Sequence, residues 1–171
     1  MIIRPSTLND LPAIRALYDE AREYFRQAGI DQWQSGYPED NVIEDDIGAG
    51  FSYVGIDDGG IVMAFVATTE PDENYAEIDG NWQSDEKYIA IHRVAVSNAC
   101  KGKGYASRMI EYIENELLTD DVKYLRGDTH KDNKSMQRLL IKNGFKPAGG
   151  ITLQSGSDKG AKRIAFDKIV K

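Results

Sequence analysis

Residues 89–117 read IAIHRVAVSNACKGKGYASRMIEYIENEL and join three structural signals in one continuous stretch. The first eight residues, 89–96, are rich in β-branched and other apolar side chains, which predicts a buried strand. The end of the stretch carries apolar residues at helical spacing, which predicts an amphipathic helix. Between the two lies the glycine-rich turn 100–106, CKGKGYA. The stretch therefore predicts a strand–turn–helix unit around which the rest of the chain is organised.

The glycine-rich turn has the composition of an anion-binding site. Glycine tolerates positive φ and lets a ligand approach the backbone, and the first N–H groups of a helix point outward with partial positive charge. Such a turn suits a phosphate or pyrophosphate, and Lys101 and Lys103 add positive charge. It matches neither the P-loop nor the three-glycine dinucleotide pattern. The alternative is that the glycines only make the bend between strand and helix.

Three motifs in order resemble the GNAT superfamily of acyl-CoA N-acyltransferases. The segment 101–106, KGKGYA, resembles the family's acyl-CoA motif Gln/Arg-x-x-Gly-x-Gly/Ala, with Lys101 in place of Gln or Arg. The preceding residues 93–96 resemble its central strand. Residues 133–145, NKSMQRLLIKNGF, are similar to its second motif, and residues 3–11 to its opening. The resemblance thus covers both ends and the middle of the chain.

The resemblance and the order of predicted elements imply one fold. Residues 1–171 are expected to form a single GNAT-like α/β domain, with a mixed, mostly antiparallel sheet of about seven strands and helices on both faces. Strands are expected at 1–4, 51–56, 61–69, 89–96, 123–130, 145–153 and 161–170. Helices are expected up to Gly29, over 38–47, from the glycine turn to Leu117, and from residue 132 or 133 to Gly144. The acidic segment 70–86 is expected to be a loop.

The same resemblance implies direct transfer of an acetyl group from acetyl-CoA to a primary amine in a ternary complex, without a metal. The backbone N–H of Val94 would stabilise the charge that develops on the thioester carbonyl. Asn133 would contact the cofactor; the alternative is plain helix capping, and both roles can hold at once. The implied cofactor-binding residues are Val94, Ala95, Val96, Lys101, Gly102, Lys103, Gly104, Tyr105, Ala106 and Asn133.

A general base is useful because an alkylamine must lose a proton before it attacks. His92 is the leading candidate, since its ordinary pKa of about 6.5 suits the role. Strand alternation is expected to place it on the face of Val94 and Val96. The alternative is a packed structural histidine. His130 and the carboxylates of segment 70–86 are further candidates.

Other positions carry weaker signals. The tyrosine that often serves the family as general acid is replaced here by Leu140, so no acid can be assigned. Cys100 lacks an activating His or Asp in its loop and is expected to be non-catalytic. Trp33 and Tyr37 are candidates for the acceptor pocket or, equally, aromatic anchors of a loop. Segment 70–86 is either a solvated acidic run or a cover for the acceptor side.

Composition limits the function classes. The net charge of −7 argues against a nucleic-acid-binding face and is compatible with a cationic substrate. The chain contains no run of about 18 apolar residues, so no membrane span is predicted. The opening lacks the apolar core of a signal peptide. A cytoplasmic location is therefore the default. The acceptor is expected to be a small-molecule or peptide amine, and homodimer formation stays open because this fold often pairs.

Two other functions remain compatible with the sequence. A CoA-binding sensor or partner-binding module could use the same fold without catalysis, which the replacement at Leu140 favours. A protein for a different phosphate ligand, such as ATP or NAD, could use the same strand–turn–helix unit.

Overall fold

The structure, a computed structural model, describes residues 1–171 and consists of one sheet with helices on both faces. The strands are β1 (Ile2–Pro5), β2 (Ser52–Asp57), β3 (Gly60–Thr68), β4 (Asp79–Gly80), β5 (Ile89–Val96), β6 (Tyr124–Thr129), β7 (Lys146–Thr152) and β8 (Lys162–Ile169). The α-helices are α1 (Leu11–Gln27), α2 (Asp40–Gly48), α3 (Tyr105–Tyr112) and α4 (Lys134–Lys142). The predicted α/β class is confirmed.

The eight strands follow the order β1-β2-β3-β5-β6-β8-β7-β4. Only the β5–β6 pair is parallel, and every other neighbouring pair is antiparallel. This arrangement confirms the mixed, mostly antiparallel sheet. No helix combines the length and the apolar composition needed to cross a bilayer.

Two apolar layers cover the sheet. On one face, called here the α3–α4 face, Met109 and Ile110 of α3 and Leu140 of α4 pack with sheet residues such as Ile91 in a cluster of 15 buried residues. On the other, the α1–α2 face, residues of both helices pack on Ala64 and Ala95. Apolar residues at helical spacing form these layers, as the periodicity predicts.

Strand β5 carries a bulge at its centre. Ala95 pairs with Ala64 and His92 pairs with Val66, so three steps along β5 oppose two along β3. Arg93 lies within this interval and has a φ of 50°. An extra residue in one strand interrupts the alternation of side chains between the two faces.

The bulge moves His92 to the face opposite to the predicted one. Ile91 belongs to the α3–α4 cluster, and Val94 and Val96 also pack against that cluster. His92 instead lies against Tyr75, which belongs to a separate cluster on the other face. The prediction that His92 shares a face with Val94 and Val96 is therefore wrong, because simple alternation does not continue through a bulge.

Strands β5 and β6 separate beyond the middle of β5. Their pairing runs from Ile89–Leu125 to Ile91–Gly127 and goes no further. Both strands continue past that point, with β5 held by β3 and β6 held by β8. The centre of the sheet therefore opens into a gap that both faces share.

The acidic segment 70–86 contains an eighth strand that the sequence does not predict. Asp79 and Gly80 of β4 pair with Gly150 and Gly149 of β7. A Cβ on Gly80 would lie 2.2 Å from the Ala148 carbonyl oxygen, so the close approach of the two backbones requires glycine. The segment is thereby held against the sheet, although most of its carboxylates are exposed.

Candidate active-site cleft

A cleft of about 970 Å³ occupies the gap between β5 and β6 and extends on both faces of the sheet. On the α3–α4 face it reaches the glycine-rich turn and α4. On the α1–α2 face it reaches the loop after α1, residues 70–74, and the loop between β7 and β8. One continuous cavity therefore joins the predicted cofactor residues to the predicted acceptor region.

The glycine-rich turn presents free backbone amides to the cleft. Gly102 and Gly104 have φ values of 80° and 79°, and Gly104 is the N-cap of α3. The N–H groups of Gly102, Gly104, Tyr105 and Ala106 have no hydrogen-bond acceptor within the protein. All four residues line the cleft. Four unpaired donors at a helix N-terminus make an arrangement suited to a phosphate group.

The two lysines of the turn have different positions. Lys101 lines the cleft, and its Nζ lies 3.3 Å from the centre of the Tyr24 ring. Burial lowers its pKa, and the Glu20 carboxylate opposes that effect. Lys103 lies outside the cleft lining, with its Nζ 4.0 Å from the sulfur of Cys100. Two cations that the sequence analysis did not select, Arg138 and Lys142 of α4, also line the cleft.

The second half of β5 offers its backbone to the cleft. The Ser97 N–H donates to the Val62 carbonyl on the β3 side. Because successive residues of a strand alternate their polar groups, Val96 and Val94 direct N–H and C=O to the open side. Ala95 directs its backbone groups to β3, and its side chain packs on the α1–α2 face. The edge that β6 leaves unpaired thus carries the free backbone groups of Val94 and Val96, two of the predicted cofactor-binding residues.

His92 enters the cleft from the α1–α2 face and sits among carboxylates. Its Nε2 lies 3.3 Å from Asp72 Oδ2, and its ring centre lies 5.9 Å from that of Tyr75. Burial lowers its pKa below the ordinary 6.5, and the neighbouring Arg93 lowers it further; the carboxylates of Asp128 and Asp72 act in the opposite direction. Burial therefore favours the neutral imidazole, which is the form able to accept a proton.

Asp128 is a site residue that the sequence analysis missed. Its Oδ1 accepts a hydrogen bond from the Tyr75 hydroxyl at 2.7 Å, and it lines the cleft next to His92. Burial raises the pKa of its carboxyl, while His92 and the Tyr75 hydroxyl lower it. The only carboxylate of β6 was a signal that could have identified it, because Asp is seldom buried in a strand without a partner.

A second buried polar group, the guanidinium of Arg93, belongs to the bulge itself. Arg93 donates from Nη2 to Asp46 Oδ1 at 2.7 Å and from Nη1 to the Tyr37 hydroxyl. Tyr37 lines the cleft, as the acceptor-pocket prediction expects. Trp33 also lines it, but its ring packs edge-on against Tyr18 and Phe25, so it anchors the loop as well.

The two sides of the cleft differ in charge. On the α1–α2 face, Asp46 pairs with Arg93, and Asp158 pairs with Arg163. The other cleft-lining carboxylates there have no Lys or Arg partner; they are Glu70, Asp72, Glu73 and Asp128. The α3–α4 face instead carries Arg138 and Lys142. The cleft is therefore acidic on one side of the sheet and basic on the other.

The remaining predicted residues have structural partners. Asn133 caps α4, since its Oδ1 accepts from the Met136 N–H at 3.1 Å, and its Nδ2 donates to Gln32 Oε1. It also lines the cleft. His130 accepts from the Asp132 N–H at 3.1 Å and lies outside the cleft lining. Leu140 is fully buried in the core.

Cys100 lines the cleft and is buried as a free cysteine. Its only hydrogen-bond neighbour at the sulfur is Lys103 Nζ, so no His or Asp is placed to activate it. No group of three or more His, Cys, Asp or Glu side chains is arranged to hold a metal ion.

Comparison with known proteins agrees with this arrangement. Residues 14–145 match the model of the acetyltransferase (GNAT) family. The chain is 26% identical over 151 residues to the uncharacterised N-acetyltransferase YesJ of Bacillus subtilis (strain 168), a match that covers 85% of this chain and 81% of that protein.

Solved structures give the same result. The crystal structure of a GNAT-family acetyltransferase from Streptococcus agalactiae 2603 matches with a TM-score of 0.88 and 35% identity, covering 99% of this chain and 95% of that one. GphF, a GNAT-like decarboxylase in complex with isobutyryl-CoA, shares the fold with a TM-score of 0.73 at 14% identity, over 100% of both chains. On the family match and the similarity to the streptococcal protein, this chain belongs to the acetyltransferase (GNAT) family.

Proposed function

We propose that the protein transfers an acetyl group from acetyl-CoA to a primary amine by direct attack in a ternary complex. One observation carries this proposal. A single cleft joins four unpaired amides at a helix N-terminus to the imidazole of His92 on the opposite face of the sheet. The first feature suits the pyrophosphate of CoA, and the second suits deprotonation of an amine.

The cofactor would lie on the α3–α4 face. Its pyrophosphate would accept hydrogen bonds from the amides of Gly102, Gly104, Tyr105 and Ala106, with Lys101, Arg138 and Lys142 supplying positive charge nearby. Its pantetheine arm would pair with the open edge of β5 at Val94 and Val96, next to Ala95. Lys103, which lies outside the lining, would contribute only long-range charge, and Asn133 would shape the wall of the cleft beside α4.

The Val94 N–H would stabilise the oxyanion that forms when the amine attacks the thioester carbonyl. It points to the open side of β5, where the gap between β5 and β6 brings both faces of the sheet together. A fixed donor at such a position contributes about two to three powers of ten in rate.

His92 would accept the proton of the incoming ammonium. It lies on the α1–α2 face, so the amine would approach the carbonyl from the side opposite to the cofactor's phosphates. Asp72 lies 3.3 Å from its Nε2 and would orient the imidazole. The ammonium first loses one proton through His92 to solvent. As the C–N bond then forms and the C–S bond breaks, the nitrogen loses a second proton to His92, and the electron pair of the broken bond stays on sulfur.

The carboxylates of this side that have no Lys or Arg partner favour a cationic acceptor. Asp72 and Asp128 face the position where the amine would deprotonate, and a carboxylate-lined cleft raises the local concentration of a cation. The amine of a small molecule or of a peptide meets this condition.

A CoA-binding module without catalysis is the second candidate. The observation that favours it is the fully buried Leu140 in place of the tyrosine that serves as acid in many relatives. The decarboxylase GphF also illustrates that the fold alone does not fix the reaction.

The test is a coupled assay for thiol release and product mass. Acetyl-CoA is supplied with a panel of diamines, amino acids and short peptides, and mass spectrometry looks for acetylated amine equal in amount to the CoA released. Binding of acetyl-CoA without acetylation of any amine would support the module instead. Displacement of CoA by ATP or NAD at similar concentrations would point to a different phosphate ligand.

A further inference from the structure

Thr129 is a buried side chain of the cleft whose hydroxyl has no hydrogen-bond partner. It is the last residue of β6, is 1% exposed and lines the cleft. Its Oγ1 neither donates nor accepts within the protein. Two other buried atoms, the Nε atoms of Arg93 and Arg126, share this property. Each belongs to a guanidinium that is hydrogen-bonded through at least one other nitrogen, so Thr129 alone has a side chain without any hydrogen bond.

The side chain of Thr129 lies on the cofactor face of the sheet. Thr129 pairs with Ile164 of β8, and Ile164 packs against the α3–α4 cluster. Directly paired residues of antiparallel strands share a face. Thr129 is therefore on the same face as Val94 and Val96, which pack against the same cluster. His92 and Asp128 lie on the other face.

Its position along the gap corresponds to that of Val94. The last paired residues of β5 and β6 are Ile91 and Gly127. Thr129 lies two residues beyond Gly127 on β6. Two residues beyond Ile91 on β5 is Arg93, and the extra residue of the bulge moves the corresponding position to Val94. Thr129 thus faces the place where the Val94 N–H would hold the thioester carbonyl, one bond away from the sulfur.

A buried hydroxyl without a partner destabilises the folded chain, because it loses its hydrogen bonds to water and gains none. Valine has nearly the same shape and would avoid this cost. Such groups are rare in native structures, and one that lines a cleft points to a catalytic role or to a bound water or ion. The missing partner is therefore one that enters the cleft on the α3–α4 face.

We propose that the Thr129 hydroxyl donates a hydrogen bond to the sulfur of CoA and stabilises the departing thiolate. This inference rests on the proposed acetyl transfer. When the amine nitrogen bonds to the carbonyl carbon, the C–S bond breaks and its electron pair moves to sulfur. Thr129 keeps its proton and shares it with that thiolate. It would thus take over the electrostatic role that Leu140, buried and without a polar group, is unable to fill.

The experiment measures the pKa of the thiol of bound CoA, from the ultraviolet absorption of the thiolate and with the desulfo-CoA complex as blank. It compares the wild type with Thr129→Val, which removes the hydroxyl, and Thr129→Ser, which keeps it. Thr152→Val is the matched control. The hydroxyl of Thr152, on β7, accepts a hydrogen bond from Lys162 Nζ, on β8, and neither residue lines the cleft.

Thr129→Val is expected to raise the pKa of the bound thiol by about one unit, the size expected for a hydrogen bond to a charged group. Thr129→Ser and Thr152→Val should leave it unchanged. Acetyl transfer by Thr129→Val should fall about tenfold with unchanged affinity for acetyl-CoA. An equal thiol pKa in the wild type and Thr129→Val would overturn the inference.

Thermal unfolding gives an independent check, because a structural role would have the opposite sign. Thr129→Val is expected to unfold at the same temperature as the wild type or higher, since it removes an unpaired buried hydroxyl. A clear loss of stability would overturn the inference by showing that the hydroxyl is bonded in the folded protein. Binding of CoA without transfer to any amine would contradict the proposed acetyl transfer, but the thiol pKa would still test the hydrogen bond from Thr129. Absence of CoA binding would contradict both the acetyl transfer and the role of Thr129.

Discussion

The two faces of the cleft differ in how their functional groups are held in place. On the α3–α4 face, the groups are backbone amides of residues within one short segment, 102–106, at one strand–turn–helix joint. On the α1–α2 face, they are side chains from distant segments: His92 of β5, Asp72 of the acidic segment and Asp128 of β6. A local site needs only the right short sequence, whereas a distributed site needs the whole fold. Substitutions should therefore affect the two faces in different ways.

The largest effect is expected at the glycine-rich turn. Gly104→Val should weaken acetyl-CoA binding about 100-fold or more, because the side chain would fill the space in which the phosphate meets the amides. A Cβ on Gly104 meets no atom within 4 Å, so the substitution leaves the packing intact. Titration calorimetry of the folded variant measures the loss.

The matched control for this variant is Gly59→Val. Gly59 has a φ of 77°, close to the 79° of Gly104, and also meets no atom within 4 Å. It lies in the turn between β2 and β3, away from the cleft. The control carries the same backbone strain and should bind normally; equal loss of binding in both variants would attribute the effect to strain alone.

The second-largest effect is expected on the α1–α2 face, where His92 would act as the base. His92→Ala should lower kcat by about 10²–10⁴-fold, the usual contribution of a positioned base. Affinity for acetyl-CoA should stay unchanged, because His92 and the glycine-rich turn lie on opposite faces of the sheet. His130→Ala is the control, since His130 lies outside the cleft lining. A large loss of CoA affinity in His92→Ala would contradict the assignment of the two faces.

A smaller effect is expected where segment 70–86 docks on the sheet. A Cβ on Gly149 would lie 2.3 Å from the Asp79 carbonyl oxygen, and its φ of 154° disfavours other residues. Gly149→Ala should destabilise the fold by about 1–3 kcal/mol and raise the KM of the amine more than that of acetyl-CoA. Its neighbour Gly150 has free space, so Gly150→Ala should change neither quantity. Equal changes in both Michaelis constants would show that the segment does not act on the acceptor side alone.

The smallest effect is a shift of the pH profile. The base works when neutral, so kcat/KM should fall as the pH drops through the pKa of His92, which burial holds below 6.5. The Asp72 carboxylate raises that pKa. Asp72→Asn should therefore move the acidic limb to lower pH, by less than about one unit. A shift to higher pH, or none, would remove Asp72 from the surroundings of the base.

The difference between the faces also explains what the sequence could predict. Glycine spacing and helical periodicity are local, so the turn 101–106 and the helix after it could be predicted from them. The class of the sheet was implied by the family resemblance and the order of the elements. The bulge at Arg93 carries no glycine and no sequence mark, and it reversed the predicted face of His92. Asp128 meets Tyr75 across 53 residues, a contact that no local pattern encodes.

The acidic segment shows the same limit. Its composition indicated a solvated run, and most of its carboxylates are exposed. Its docking depends on two glycines, Gly80 and Gly149, that meet only in the folded chain. The eighth strand was therefore beyond the reach of a pattern that covers one segment at a time.

Calorimetric titration of the wild-type protein with acetyl-CoA tests the central claim most directly, because every proposed step begins with that cofactor on the α3–α4 face. We expect saturable binding of one acetyl-CoA per chain, lost in Gly104→Val and kept in His92→Ala. No binding at millimolar acetyl-CoA, or equal binding by the wild type and Gly104→Val, would contradict the account.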